Sequence, residues 1–252
     1  MEYKNRVYRE SFSGRWSSFV VKYKKTDVWI GIDKGSYKPD MPEKCEQIIK
    51  DLWTEMETYM QRDPHYVTAL VPYSAKDDAP EIMRMMSETS RKVGIGPMSA
   101  VAGATSLFIA IRLKQLYDIK EIVIENGGDI YADIKEDMDV SVFAGASPLS
   151  EKVGLHVHAA DSPMGICTSS GTVGPSISFG KADAVMVICR DVLLADSYAT
   201  HFANFVHKAD DIAKVLKKIE VIPEVLAALL VKEDKMGIVG KFEMKIFQKE
   251  ND

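Results

Sequence analysis

Apolar residues recur at two different spacings along the 252-residue chain, and the changes of spacing divide it into elements. Tyr3 to Asp33 is rich in aromatic and β-branched residues, with turn chemistry at Ser13-Gly14 and at Lys24 to Asp27, so two or three opening strands are predicted. After Pro39-Asp40 the spacing lengthens. Ile48, Ile49, Leu52, Trp53, Met56, Tyr59 and Met60 recur at three and four residues between Pro42 and Asp63-Pro64, which predicts an amphipathic helix. Tyr66 to Tyr73 reads as a short strand or an extended link. Pro80 opens a second predicted helix that runs to Lys92, with Ile82, Met83, Met85 and Met86 filling the core. A third helix is expected from Met98 to Tyr117.

Beyond Asp118, strands dominate. Glu121 to Ile134, interrupted at Gly127-Gly128, is expected to pair with Val140 to Ala144 across an acidic turn, and Val153 to His158 alternates at period two. Ala182 to Cys189 is an unbroken apolar run of the kind that forms a buried strand. Leu194 to Val206 and Asp210 to Ile219 read as helices, and Leu226 to Phe247 as a closing hairpin turning at Lys235 to Gly237. Helices mixed with hairpins, without regular β-α-β alternation, predict an α+β fold in which antiparallel or mixed sheets are packed by helices. No repeat or linker divides the chain, so residues 1–252 are expected to form one domain.

Composition narrows the functional classes. With 46% apolar and 27% charged residues the chain is of the globular type. Thirty-two Lys and Arg against 37 Asp and Glu leave a net charge of −5, which argues against a dedicated nucleic-acid binder. Cys45, Cys167 and Cys189 are odd in number and widely spaced, so they imply neither a disulfide framework nor a zinc site, and a reducing cytoplasm fits. The polar N-terminus lacks the apolar stretch of a signal peptide. Val93 to Ile111 carries no charge, but Gly94, Gly96 and Pro97 break its start. The helix left over has about 15 residues and spans roughly 22 Å, short of a bilayer core of about 30 Å. It is expected to be a buried helix rather than a membrane span.

Four stretches carry candidate chemistry. In GIGPMSAVAGA, Gly94 to Ala104, Pro97 at a first helical position follows two glycines, so backbone N–H groups are available for a phosphate, while Ala100, Gly103 and Ala104 allow close approach. Tight helix packing alone accounts for the same residues. In ENGGD, Glu125 to Asp129, paired glycines within a strand mark a bulge or a close approach, flanked by the polar Asn126 and Asp129. In CTSSGTVG, Cys167 to Gly174, followed by Ser176, Ser178, Phe179 and Gly180, hydroxyls and glycine amides form either a neutral cradle for phosphate oxygens or a plain turn. Nothing in the spacing sets a histidine beside Cys167 or Ser170, which weighs against a nucleophile. In LLADSYAT, Leu193 to Thr200, Asp196 and Thr200 are four apart on one helix face and suit Mg²⁺, while Asp196 also suits the cap of the following helix. Three weaker signals remain. His156 and His158 share a strand face but lack a third metal ligand fixed by spacing. Asp133, Glu136, Asp137 and Asp139 read as a solvated hairpin tip, and Lys22 to Lys25 as an exposed strand edge.

The order of these motifs, a small-residue helix, Asn-Gly-Gly-Asp, Thr-Ser-Ser-Gly and an Asp-x-x-x-Thr helix, resembles the FAD:protein FMN transferases of the ApbE-like superfamily. GPMSAVAGA, ENGGD, CTSSGTVG, SFGKADAV and ADSYAT together resemble more closely a smaller family of cytoplasmic prokaryotic proteins related to them. The resemblance implies a single α+β domain and Mg²⁺-assisted cleavage of the FAD pyrophosphate with transfer of FMN. It implies a metal held by Asp196, Thr200 and a backbone carbonyl near Gly96. It implies flavin-side contacts at Asn126, Gly127, Gly128 and Asp129 and at Thr168 and Ser169, while the hydroxyls and amides of Ser170, Gly171 and Thr172 in the same turn are candidate phosphate contacts. The sequence departs from the transferases at Pro97-Met98, where they carry Lys-Gly, and at Phe179 to Asp183, which replaces their His-x-x-Asp-Pro-x-Thr-Gly loop. The expected partner is therefore a small phosphorylated ligand, with neither nucleic acid nor membrane. A non-catalytic flavin- or nucleotide-binding module, or an oligomeric partner-binding protein, stands as the alternative.

Overall fold

A computed structural model of the chain describes residues 14–173 and 178–247. The opening strand expected before Ser13, and Gly174 and Ser176 of the third motif, lie outside the described residues. Strands β1 (Trp16–Tyr23) and β2 (Thr26–Asp33) form the predicted hairpin, turning at Lys24 with φ of 52°. Helix α1 (Met41–Arg62) buries Met41, Cys45, Ile48, Ile49, Leu52, Met56 and Tyr59, the three-and-four stripe of the sequence. The next segment is helical where a strand or link was expected. Pro64 opens the short α2 (Pro64–Thr68), and the buried Tyr66 fixes it by donating its hydroxyl hydrogen to the Met83 carbonyl at 2.7 Å. Helix α3 (Glu81–Val93) ends on Gly94, whose φ of 86° is the left-handed conformation that closes a helix. A 3₁₀ turn, Pro97–Ala100, leads into α4 (Val101–Leu116).

The remaining elements are β3 (Ile122–Asn126), β4 (Asp129–Asp133), β5 (Met138–Ser141), β6 (Val153–Val157), β7 (Met164–Ser169) and β8 (Ala184–Cys189). After them come α5 (Val192–Ala203), α6 (Asp211–Ile219), β9 (Val225–Lys232), β10 (Lys235–Gly240) and β11 (Glu243–Ile246). An eight-stranded sheet runs in the order β1-β2-β3-β4-β7-β8-β9-β10, and a three-stranded sheet in the order β11-β6-β5. Every pairing is antiparallel.

Two expected pairings change. Gly127 and Gly128 are the two residues of a tight hairpin turn, with φ of 74° and 112°, not a bulge inside one strand. β4 consequently pairs with β3 and β7, and β5 joins the second sheet beside β6. The late hairpin turns at Glu233-Asp234, earlier than expected, because Glu233 takes the left-handed conformation at φ of 57°.

Alternation along the strands creates two cores that share the large sheet. Ile30, Ile32, Ile122, Ile124, Val185 and Val187 face the helices. Trp29, Val123, Ile130, Met186 and Ile188 face Val140, Leu155 and Val157 of the small sheet. The order of layers is therefore helices, large sheet, small sheet. Helix α4 lies within the first core, packed by α1, α3, α5, β3 and β4, which explains why its sequence is apolar all round rather than striped. No helix among the described residues is long and apolar enough to cross a membrane by itself. The joined pair α3 and Pro97–Leu116 is bent by 107°.

Candidate functional site

The start of α4, the β3–β4 turn, the end of β7 and the middle of α5 converge. Their meeting depends on Gly103. A Cβ at that position would lie 2.8 Å from the Val192 carbonyl oxygen and 3.2 Å from Asp196 Cβ, so only glycine lets α4 approach α5 this closely. The approach brings the first turn of α4 against the Asp196 carboxylate, whose Oδ2 accepts from Gly103 N–H at 2.8 Å. Ala102 N–H donates to the same carboxylate. Asp196 thus caps a neighbouring helix, at the end where backbone N–H groups lack partners and the helix dipole is positive. It does not cap its own helix. Asp191 does that, accepting from Leu193 N–H at 2.8 Å and Leu194 N–H at 3.4 Å.

Asp129 opens β4 directly opposite Cys167 of β7. Desolvation and the nearby Asp196 charge push its carboxyl well above the usual carboxylate range, against the opposing pull of the Cys167 thiol and Thr168 N–H. Burial pushes Asp196 up to about 7, although the Gly103 and Ala102 N–H groups favour its charged form. Asp196 is buried and Asp129 half-buried, and the charge on one disfavours charge on the other where the four elements meet. Cys167 is pushed well upward by burial and by both aspartates, so it stays a thiol and is no nucleophile. Its Sγ contacts the Val192 carbonyl oxygen at 3.7 Å.

The remaining predicted site residues divide into two groups. Asn126 borders the crevice and donates from Nδ2 to the Ala102 carbonyl at 3.3 Å, tying the hairpin turn to α4. Gly128 N–H is held by Glu125 Oε1 at 3.0 Å, and its φ of 112° demands glycine. Thr168 and Ser169, at the end of β7, and Thr200, one helical turn beyond Asp196, make no side-chain hydrogen bond among the described residues.

The Ser170 to Thr172 cradle is, by contrast, committed internally. Ser170 Oγ accepts from Thr172 N–H and Val173 N–H, each at 3.0 Å, and donates to the Ala182 carbonyl at 3.2 Å. Gly171 N–H donates to the same carbonyl at 2.9 Å, and the Thr172 hydroxyl donates to Asp183 at 3.0 Å. Gly96 is likewise occupied. Its N–H donates to the Leu70 carbonyl at 3.1 Å, and its own carbonyl accepts from Ser99 N–H at 3.2 Å and Ser99 Oγ–H at 2.7 Å. Ser99 Oγ lies 3.0 Å from Ser197 Oγ of α5. The Gly96 carbonyl thus already accepts two hydrogen bonds from Ser99. The close approach Gly96 permits is to the Ala69 carbonyl, which a Cβ would meet at 1.8 Å.

Comparison with known proteins fits this arrangement. The family model described as AbpE bacteria matches residues 9–223. The chain belongs to this family. It is 36% identical over 232 residues to the UPF0280 protein of Methanocaldococcus jannaschii, covering 90% of this chain and 91% of that one. It is 39% identical over 197 residues to that of Methanocella arvoryzae, covering 78% and 80%. Among solved structures it is similar to the flavinyl transferase ApbE of Pseudomonas stutzeri in its apo form, with a TM-score of 0.56, 13% identity and coverage of 90% and 94%. The flavin transferase ApbE of Vibrio cholerae gives a TM-score of 0.51 at 11% identity, covering 91% and 96%. Membership in a family related to ApbE and a shared α+β fold follow.

Proposed function

We propose that the crevice binds a small phosphorylated ligand, FAD or FMN, together with Mg²⁺, in the cytoplasm. The carrying observation is the pairing of Asp129 and Asp196. A buried carboxyl and a half-buried one that repel each other are costly when both are charged, and a divalent cation relieves that cost. Asp196 and Thr200 supply hard oxygens from one helix face. The flavin-transferase names carried by the structural relatives support the choice of ligand. Three unpaired, buried cysteines support a reducing compartment.

In this reading Asp196 and Thr200 hold the ion, and Asp129 is the acidic partner whose charge the ion balances. Thr168 and Ser169 hydroxyls donate to the ligand's oxygens, and Asn126, Gly127 and Gly128 form the wall of the pocket. Ser170, Gly171, Thr172 and Gly96 act indirectly by fixing the turns on either side. A Mg²⁺ ion held by Asp196 and Thr200 would supply charge neutralisation to a pyrophosphate. With that chemistry the protein is a flavin-related transferase or pyrophosphatase.

A second reading, a binding module without turnover, is favoured by the internal commitment of Ser170 to Thr172, which leaves fewer donors for a departing phosphate. Incubation with FAD and Mg²⁺ separates the two. AMP release that is lost in Asp196→Ala supports the enzyme. A flavin that binds in a Mg²⁺-dependent way without AMP release supports the module, and failure to bind any flavin overturns both.

A further inference from the structure

A second constellation lies on the three-stranded sheet, built from elements that take no part in the crevice. His156 and His158 project from the same face of β6, as residues two apart on a strand do, with their side chains 36% exposed. The third group comes from the residue just before β5. Asp137 Oδ2 lies 3.0 Å from His158 Nδ1 and 3.4 Å from His156 Nε2. One ligand atom from each of the three residues falls within 4.8 Å of the others. Zinc bonded to nitrogen and oxygen at about 2.0 to 2.1 Å in tetrahedral geometry sets its ligands about 3.3 Å apart. The two distances to Asp137 bracket that value.

The outward-facing atom of each group is also fixed. His156 Nδ1 is 2.6 Å from Asp139 Oδ1, so with Nδ1–H donating there, Nε2 presents its lone pair to the common point. His158 Nε2 is 3.1 Å from Glu243 Oε2 of β11, so with Nε2–H donating, Nδ1 is the atom that turns inward. Asp137 Oδ1 accepts from Ala159 N–H at 2.8 Å, leaving Oδ2 for the histidines. Asp139 is itself held by Lys245 at 2.9 Å. Carboxylates behind both histidines and a backbone donor behind the aspartate are the supports that orient metal ligands and raise their basicity.

We propose that His156, His158 and Asp137 form a binding site for a borderline divalent transition metal, zinc above all, on the small sheet. Three protein ligands at a partly exposed position leave a fourth place for water, and Glu243 and Asp139 tie β11 and β5 to the ligands. Two imidazoles with one carboxylate select zinc, cobalt or nickel over the magnesium that hard oxygens prefer.

Co²⁺ added to the metal-free full-length protein tests the assignment, in parallel with Zn²⁺ competition against a chromophoric chelator. The proposal expects one tightly bound Co²⁺ per chain with the visible absorption of a low-coordinate site, displaced by Zn²⁺ and retained in Asp196→Asn. His156→Ala and His158→Ala should each abolish the band, and Glu243→Gln should weaken Zn²⁺ binding by about 10- to 100-fold with the far-UV spectrum unchanged. Should either histidine variant unfold, Asp137→Asn with the same readout takes its place. Absence of saturable Co²⁺ or Zn²⁺ binding, or binding indifferent to His156, His158 and Asp137, overturns it and leaves the cluster as an ion-pair network around His158.

Discussion

Replacing Asp196 by Asn keeps the side-chain volume and the carbonyl that accepts from Gly103 N–H, and removes the charge. In the wild type the carboxyl is pushed up to about 7 from an ordinary 3.8. Proton counting gives the sign. Between those values the native state holds a proton that the unfolded chain has released, so stability falls as pH rises through this window and levels off above about 7. At 1.36 kcal/mol per unit, the two units between pH 5 and pH 7 amount to about 3 kcal/mol lost by the metal-free wild type. Asp196→Asn abolishes that share of the slope and relieves Asp129 of a neighbouring charge. Urea unfolding in EDTA at pH 5 and pH 8 is the assay. The variant should exceed the wild type by about 1.5 kcal/mol at pH 5 and by about 4 kcal/mol at pH 8, a gap that widens by about 3 kcal/mol between them. Added Mg²⁺ should stabilise only the wild type. A wild type equally stable at both values, or a variant less stable than wild type at pH 8 in EDTA, refutes the idea that two charges are confined together there.

Gly103→Ala places a methyl group 2.8 Å from the Val192 carbonyl oxygen, so α4 and α5 must separate. A loss of roughly 1 to 3 kcal/mol in urea unfolding is expected, with Mg²⁺ stabilisation reduced because Asp196 loses its backbone donors. The thiols should be inert. Burial pushes Cys45 up to about 12 and Cys167 and Cys189 upward as well, so a thiol reagent at pH 8 should label none of the three until denaturant is added.

Much of this architecture is legible in local sequence. The three-and-four spacing of α1, the alternation in β6 and the apolar run of β8 all report a face or a layer, and each of these elements forms where its pattern lies. What local pattern does not carry is partnership. Gly127-Gly128 reads equally as a bulge or a turn, and only the register of β3 against β4 decides it, which in turn sends β5 to the second sheet. Asp196 looks like a cap for its own helix because a short acidic residue near a helix start has that meaning locally. Its role at α4 depends on Gly103, 93 residues away. Ser170 to Thr172 carry the right donors, but Ala182 and Asp183 consume them, a fact of the folded loop. The third member of the histidine cluster is hidden for the same reason, since Asp137 reaches His158 only by strand pairing.

FAD binding, followed by quenching or polarisation of flavin fluorescence with and without Mg²⁺, reports on the Asp129 and Asp196 site itself. Saturable binding that strengthens with Mg²⁺ in the wild type, and loses its Mg²⁺ dependence in Asp196→Ala, is the predicted result. Flavin binding indifferent to both Mg²⁺ and Asp196, or no flavin binding at all, would contradict the account.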